Sequence, residues 1–386
     1  MTLERTAPRA LRTISMAERV EHATVDTWGT LDGALLPLEQ LEIQPTARCH
    51  RTCSFCSHII RNQSQSEMTS EAVAGVLNDA RELGARTVCF SGGGEPLIWN
   101  GDLAHAMQAA RSFATVTLTT SGDQLWDREQ GELSTLARAV LGHCDTVLLN
   151  VPGISDDSLR RQIAGGPSWR DIRGLLEALV ASRARYSSYR IFCVVVANMD
   201  NINELAEIDR RFTDLGVDDI YYKQFKVYES RSPARRVAPL DMASRLKPNL
   251  SDRASDGLKR FLSSVEEANQ PHVQCWVNRL GFGAIVDPCG EVYLCTPTVG
   301  QQEFSIGNVR SSFRELWCSE SRARALRSLS ERSAAGGCPS ECRFHAHNRE
   351  WNARIMGTPG ASALQSNAGI DNGLSDPRIQ RGERKS

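Results

Sequence analysis

Several features are missing from this 386-residue sequence, and each absence closes off a class of function. No run of 18 apolar residues occurs, so no segment reads as a membrane-spanning helix. Neither sign of charge is in excess: 45 Lys and Arg stand against 46 Asp and Glu, a formal net charge of −1. Aromatics make up only 6% of residues and no basic stripe interleaves with them, so nothing marks a nucleic-acid partner. The Arg-rich first 25 residues contain Glu and lack the apolar centre of a signal peptide, which makes the cytoplasm the expected location. There is no internal repeat. The tail after about 357 has no aromatic residue, is rich in Gly, Ser, Asn and Arg, and is expected to be disordered.

What is abundant is cysteine, with twelve residues. A disulfide scaffold does not suit a chain of this length with no export signal, and several cysteines stand at the short spacings of metal ligands. The apolar fraction of 41% supports a large core, and the length allows one large domain and one small one.

From residue 38 onward, short apolar runs alternate with helical patterns. Strands are expected at 38–45, 86–90, 114–119, 145–151, 190–197 and 218–225, with helices at about 69–83, 102–113, 132–142, 168–184 and 205–215 between them. Thr69 and Gly84 suit the two ends of the first helix. Six β/α units in succession imply a parallel sheet with helices outside, curled into an open (β/α)6 partial TIM barrel of the α/β class. Ligands then bind at the carboxyl ends of the strands. The expected organisation is an extension over 1–37, a barrel over 38–227, a helical linker over 228–271, a small cysteine-rich domain over 272–356 and a tail over 357–386.

Directly after the first strand comes ARCHRTCSFCSH, in which Cys49, Cys53 and Cys56 are spaced C-x3-C-x2-C. Three thiolates can hold three irons of a [4Fe–4S] cluster and leave the fourth open, which makes a chemical site of it. A structural zinc loop is the competing reading; it needs a fourth ligand, for which His50 or His58 would have to serve. The second strand ends in SGGGEP, where Gly92, Gly93 and Gly94 allow close approach of the backbone to a ligand and Glu95 can face an ammonium. The third strand ends in TTSG with Ser121, the fourth in NVPG with Asn150, and the fifth near Asn198. The sixth carries Tyr221, Tyr222, Lys223 and Gln224, two of which alternation sends into the barrel.

The cysteine spacing, the aromatic Phe55 before the third cysteine and the position after the first strand together resemble the radical SAM superfamily. That resemblance implies a first cluster on Cys49, Cys53 and Cys56 whose open iron binds S-adenosylmethionine (SAM). It also implies reductive cleavage of SAM to a 5′-deoxyadenosyl radical, with electrons from a flavodoxin- or ferredoxin-type donor. Phe55 would lie near the adenine, the Gly92–Glu95 segment would hold the methionyl amine, and Ser121 and Asn150 would contact the rest of SAM. Lys223 is a candidate substrate contact. Ser121 departs mildly from the family's usual Asn in that turn, and Asn150 stands in a motif that often carries Ser.

A second group begins with Cys275, followed by Gly290 and Cys295, then SIGNVRSSFRELW, then Cys338 and Cys342 in CPSEC. It resembles the Twitch/SPASM extension of radical SAM enzymes. The implied auxiliary [4Fe–4S] cluster would sit on Cys275, Cys295, Cys338 and Cys342, with Cys289 as a rival ligand. A zinc ribbon is the alternative, and His345 and His347 are taken as surface residues. With so few cysteines the one-cluster Twitch type is favoured over full SPASM. Of the other cysteines, Cys89 and Cys193 lie on barrel strands. Each is either a small buried hydrophobe or a hydrogen donor to a substrate radical, which would make an epimerase; loss of an electron to the auxiliary cluster would make a dehydrogenase.

Only 37 residues precede the first strand, too few for a leader-peptide-binding domain. The expected substrate is therefore a small polar molecule, an aminosugar, sugar or aminocyclitol of antibiotic biosynthesis. Radical modification of a ribosomally made peptide is the alternative, and a non-catalytic metal-cluster regulator is a third reading, disfavoured by SGGGEP.

Overall fold

The structure is a computed structural model. It describes residues 30–31, 34–35, 38–56, 65–185, 189–225, 239–246, 254–267, 275–279 and 281–335, together with Cys338, Cys342, Phe344, His345, Asn348, Arg349, Trp351 and Asn352. The tail, His58 and His347 lie outside the described residues.

Six parallel strands follow one another in space as in sequence: β1 (Gln40–Ile43), β2 (Thr87–Phe90), β3 (Thr115–Thr120), β4 (Thr146–Asn150), β5 (Arg190–Ala197) and β6 (Asp219–Gln224). The helices between them are α1 (Ser70–Glu82), α2 (Leu103–Arg111), α3 (Thr135–Leu141), α4 (Trp169–Ser182) and α5 (Leu205–Asp214). Each expected element is present, within a few residues at its ends. Local chemistry sets those ends. The Thr69 hydroxyl accepts from Ala72 N–H at 3.1 Å to start α1, and Gly84, at φ 79°, ends it. Ser168 and Asp171 form a capping box at the start of α4. Val73, Val76, Leu77 and Ala80 of α1 are buried against the sheet, each larger side chain contributing roughly 1.5–3 kcal/mol.

The stretch expected as a linker contains two helices, Pro239–Leu246 and α6 (Asp256–Glu267). α6 is no free connector. Its Phe261 ring lies 5.7 Å from that of Tyr222 on β6, so it covers the sixth strand as the other helices cover theirs. The cysteine-rich segment does not stand apart either. Its first strand, β7 (Gly283–Val286), adds to the free side of β1 in parallel register, Gly283 opposite Gln40. Strands β8 (Glu291–Tyr293) and β9 (Ser305–Asn308) follow antiparallel, giving one nine-stranded sheet in the order β6-β5-β4-β3-β2-β1-β7-β8-β9. Helix α7 (Phe313–Trp317) then docks on α1: Asp79 accepts from Ser312 Oγ at 2.8 Å and from Arg314 N–H at 3.0 Å. Helix α8 (Glu320–Ala334) completes the described C-terminal part. Among the described residues, no helix is long and apolar enough to cross a membrane.

Candidate active site and metal centre

Strand alternation divides the barrel into two faces. Leu41, Val88, Leu118, Leu149, Ile191 and Tyr222 belong to the apolar core shared with the helices. Their neighbours in sequence, among them Glu42, Cys89, Thr117, Thr119, Asn150 and Tyr221, line the other face, which is polar. There Glu42 accepts from Ser91 Oγ at 2.7 Å, and Cys89 Sγ lies 3.7 Å from Thr119 Oγ1. A polar lumen opening at the carboxyl ends of the strands is a binding site by construction.

The three-cysteine loop lies across that opening and is held on several sides. Its entry is fastened by Ala47 N–H to Ser66 O at 2.8 Å, and Arg48 Nε reaches Glu67 at 2.8 Å. Thr52–Cys53 forms a two-residue ladder with Ile163–Ala164, and Ser54 N–H donates to Gln162 O at 2.9 Å. The ladder and the short helix Asp156–Gln162 before it were not anticipated, because a two-residue strand carries no periodicity.

Arg51 was also missed. It is 6% exposed, and its guanidinium makes an ion pair with Asp123, Nε to Oδ2 at 2.7 Å and NH2 to Oδ1 at 2.5 Å. His50 Nε2 meets the same carboxylate at 2.5 Å. Burial pushes the Asp123 carboxyl up, but the hydrogen bonds from His50 and Arg51 outweigh it and hold the group at about 2. The thiols behave oppositely: burial, with neighbouring Cys56 and Cys49 adding to it against Arg51, pushes Cys53 up to about 12. Burial raises Cys49 likewise. Such thiols give up their protons to a metal rather than to water.

Three observations fit a cluster with SAM beside it. One is the donor set itself, three mutually close thiols on one loop. Another is a backbone cradle: a Cβ on Gly94 would lie 1.8 Å from Arg48 O, and one on Gly92 would lie 2.4 Å from Gly94 O. The third is a pair of buried polar atoms with no partner among the described residues, Ser121 Oγ and Asn150 Oδ1, at the ends of β3 and β4. Phe55 is half-buried on the loop. Among the described residues, no group of three or more His, Cys, Asp or Glu converges on a single-ion site.

Several other candidate residues take up places of their own in the fold. Glu95 is 3% exposed, and its carboxylate accepts from Leu97 N–H at 3.2 Å, Thr120 Oγ1 at 2.6 Å and Ser121 N–H at 2.7 Å. A carboxylate has about four acceptor positions, so Glu95 chiefly ties the glycine loop to the end of β3 and has little left for an ammonium. Asn198 is fully buried and bonded to Gln162 and Val196, a strut of the fold rather than a ligand contact. Cys193 is fully buried in register with Leu149 and Ile220, on the helix-facing side of the sheet, so it cannot reach a substrate in the lumen. Cys89 does face the lumen. Lys223 lies half-buried on the same face as Tyr221, its Nζ 5.1 Å from that ring centre.

In the second group, burial raises the Cys275 thiol and the nearby Cys295, Cys342 and Cys338 raise it further. Asn348 donates from Nδ2 to Cys275 Sγ at 3.7 Å, with its Oδ1 accepting from Val277 N–H at 2.9 Å. Cys289 is exposed at the tip of the β7–β8 turn, where its N–H is taken by Asp287 at 2.8 Å. His345, taken as a surface residue, is 8% exposed, and its N–H donates to Cys342 O at 3.0 Å.

Residues 43–208 match a family model described as the radical SAM superfamily, and residues 275–343 match SPASM, described as an iron–sulfur cluster-binding domain. The chain is similar to the PqqA peptide cyclase of Rhizobium meliloti (strain 1021), 26% identical over 310 residues that cover 78% of this chain and 79% of that protein. The PqqA peptide cyclase of Bradyrhizobium diazoefficiens is 28% identical over 308 residues, 77% of this chain and 75% of that protein. The crystal structure of Streptococcus suis SuiB bound to precursor peptide SuiA matches with a TM-score of 0.59 at 14% identity, over 76% of this chain and 67% of that one, a likeness of fold.

Proposed function

Because this chain belongs to the radical SAM superfamily and carries a SPASM/Twitch auxiliary-cluster domain, with SAM and two [4Fe–4S] clusters as its cofactors, we propose that it carries out radical modification of a peptide. The observation that carries the substrate class is the similarity to two peptide cyclases over about three quarters of each chain. It favours the peptide over the aminosugar or aminocyclitol expected from the sequence.

In this reading Cys49, Cys53 and Cys56 hold the first cluster, and Cys275, Cys295, Cys338 and Cys342 hold the auxiliary one. Bound there and reduced, the first cluster with SAM would supply the chemistry of radical hydrogen abstraction from the substrate. The protein's own part is positional. Gly92 and Gly94 let the loop backbone close on the methionyl end of SAM. An unpartnered amide oxygen seeks a donor, so Asn150 Oδ1 suits a ribose hydroxyl better than a carboxylate, and Ser121 Oγ can serve either. Phe55 flanks the adenine. Lys223 and Tyr221 present a cation and a ring to the substrate from the lumen wall. Electrons come from a flavodoxin- or ferredoxin-type protein.

The test is an anaerobic incubation with SAM and dithionite, with peptides encoded beside the gene in one series and aminosugars and aminocyclitols in the other. A peptide product two hydrogens lighter is the expected result, with one hydrogen atom carried off in stoichiometric 5′-deoxyadenosine and the second lost as a proton with its electron passing to the auxiliary cluster. Turnover of the sugars alone would overturn the peptide reading, and no 5′-deoxyadenosine in any series would overturn the reaction class.

A further inference from the structure

We propose that Arg51 is a positioning residue that latches the first-cluster loop to the rim of the barrel and aims the side chains of Ser121 and Asn150 at SAM. The inference rests on the assignment of the first cluster to the Cys49–Cys56 loop.

Arg51 stands between the first two cysteines, and its side chain turns inward. Besides its two bonds to Asp123, NH2 donates to Ser121 O at 3.1 Å and NH1 donates to Asn150 O at 3.5 Å. Those carbonyls belong to the two residues whose side chains carry the unpartnered buried atoms Ser121 Oγ and Asn150 Oδ1. One guanidinium thus grips the main chain at the ends of β3 and β4. It holds both while its own backbone carries the cysteine loop, so one rigid group bridges the loop to the rim at the ends of β3 and β4. Asp123 lies two residues beyond Ser121 and neutralises the buried cation, while His50 braces the same carboxylate from the neighbouring loop position.

The arrangement calls for Arg in particular. Four contacts to three groups at fixed angles need a planar fork, whereas a lysine ammonium is a point charge that can satisfy one side only. Charge-assisted bonds are about twice as strong as neutral ones, which suits a latch that must hold before any cofactor arrives.

The test uses Arg51→Lys and Asp123→Asn in the full chain, with a Cys49→Ala/Cys53→Ala/Cys56→Ala variant alongside. The readouts are iron per chain and the electron paramagnetic resonance signal of the reduced first cluster as SAM is titrated. The auxiliary-cluster signal serves as an internal control for folding. In Arg51→Lys the SAM-induced spectral change should need about tenfold to a hundredfold more SAM, the loss of a charged hydrogen bond or two. Asp123→Asn should shift it the same way by about threefold to tenfold. Loss of the first-cluster irons with the auxiliary irons retained also supports the latch. Wild-type iron content and wild-type SAM response in both variants overturn it. If Arg51→Lys fails to fold, Asp123→Asn, which keeps the side chain's shape, decides alone. If the triple cysteine variant retains its first-cluster irons, the loop assignment itself has failed. If it loses them while both latch variants behave as wild type, only the latch has failed.

Discussion

Gly94→Ala is the smallest change that should disable the site. A Cβ at this position would lie 1.8 Å from Arg48 O, 2.5 Å from its carbonyl carbon and 2.7 Å from that of Ala47. Real Cβ atoms essentially never come within 3.0 Å of a neighbour, so the glycine loop and the cysteine loop must part by at least about 1.2 Å. All three atoms are backbone, so no side chain can swing away to absorb the insult. Parting also stretches the Glu95 N–H to Arg48 O bond, now 2.8 Å, which joins the two loops. Overpacking of about 1–3 kcal/mol and a lost backbone hydrogen bond of about 1 kcal/mol set the stability cost. The catalytic cost is larger, because a displacement of about 1 Å at a reacting centre is worth about a hundredfold in rate. Reconstituted Gly94→Ala should therefore hold less iron at the first site and form 5′-deoxyadenosine at about one hundredth of the wild-type rate. Gly75→Ala is the matched control: it lies exposed within α1 with nothing within 4 Å of its Cβ position and should gain up to about 1 kcal/mol from helix propensity. The reasoning is refuted if Gly94→Ala loads fully and turns over like the wild type.

Cys193→Ala should cost about 1–2 kcal/mol in urea unfolding and leave isotope uptake from deuterated water unchanged, since its thiol faces the helices; only Cys89→Ala can alter uptake, and a change in the Cys193 variant would contradict the assigned face. Asn348→Leu removes the N–H donor to Cys275, so the auxiliary cluster's midpoint potential should move to a more negative value, with potentiometry as the check and an unchanged potential counting against the bond. Asp79→Ala frees the start of α7 from α1 and should cost about 1–2 kcal/mol, seen as faster amide exchange over residues 312–317; unchanged exchange would mean that the docking rests on packing alone.

The elements were legible because each has its own local signal: a capping residue, a spacing of apolar positions, a glycine at a helix end. The first cysteine group was legible for the same reason, since ligands on one loop lie close in sequence. Which face a strand residue takes was harder to read. The fifth strand, RIFCVVVA, is apolar almost throughout, as parallel strands covered on both sides are, so alternation is hidden and Cys193 could be placed on either side. Only its register against Leu149 and Ile220 resolves that. The Arg51–Asp123 pair spans 72 positions, and no periodicity or motif announces an ion pair across such a gap. Tyr222 and Asp209, bonded at 2.9 Å in the layer between sheet and α6, were equally invisible, although that bond and Phe261 make the supposed linker part of the barrel.

The two cysteine groups differ in how the chain secures them. The first is a single loop pinned from outside the loop itself, through Arg48 O to Glu95, through Arg51 to the ends of β3 and β4, and through Thr52–Cys53 to Ile163–Ala164. Those attachments tie the loop to the ends of three strands and to the segment at Ile163–Ala164. The second group is drawn from separate segments, with Cys275 and Cys342 brought near each other from 67 positions apart in sequence. Ties among the described residues there include Asn348 to Val277 and to Cys275 and Trp276 to Asn352 at 3.1 Å. Gathering distant thiols costs loop-closure entropy, and metal–thiolate bonds offset that more readily than a few hydrogen bonds do. One loop carries the first set of thiols, and separate segments bring the second set together. The pinned first loop suits a reacting centre, which must be placed to within a fraction of an ångström.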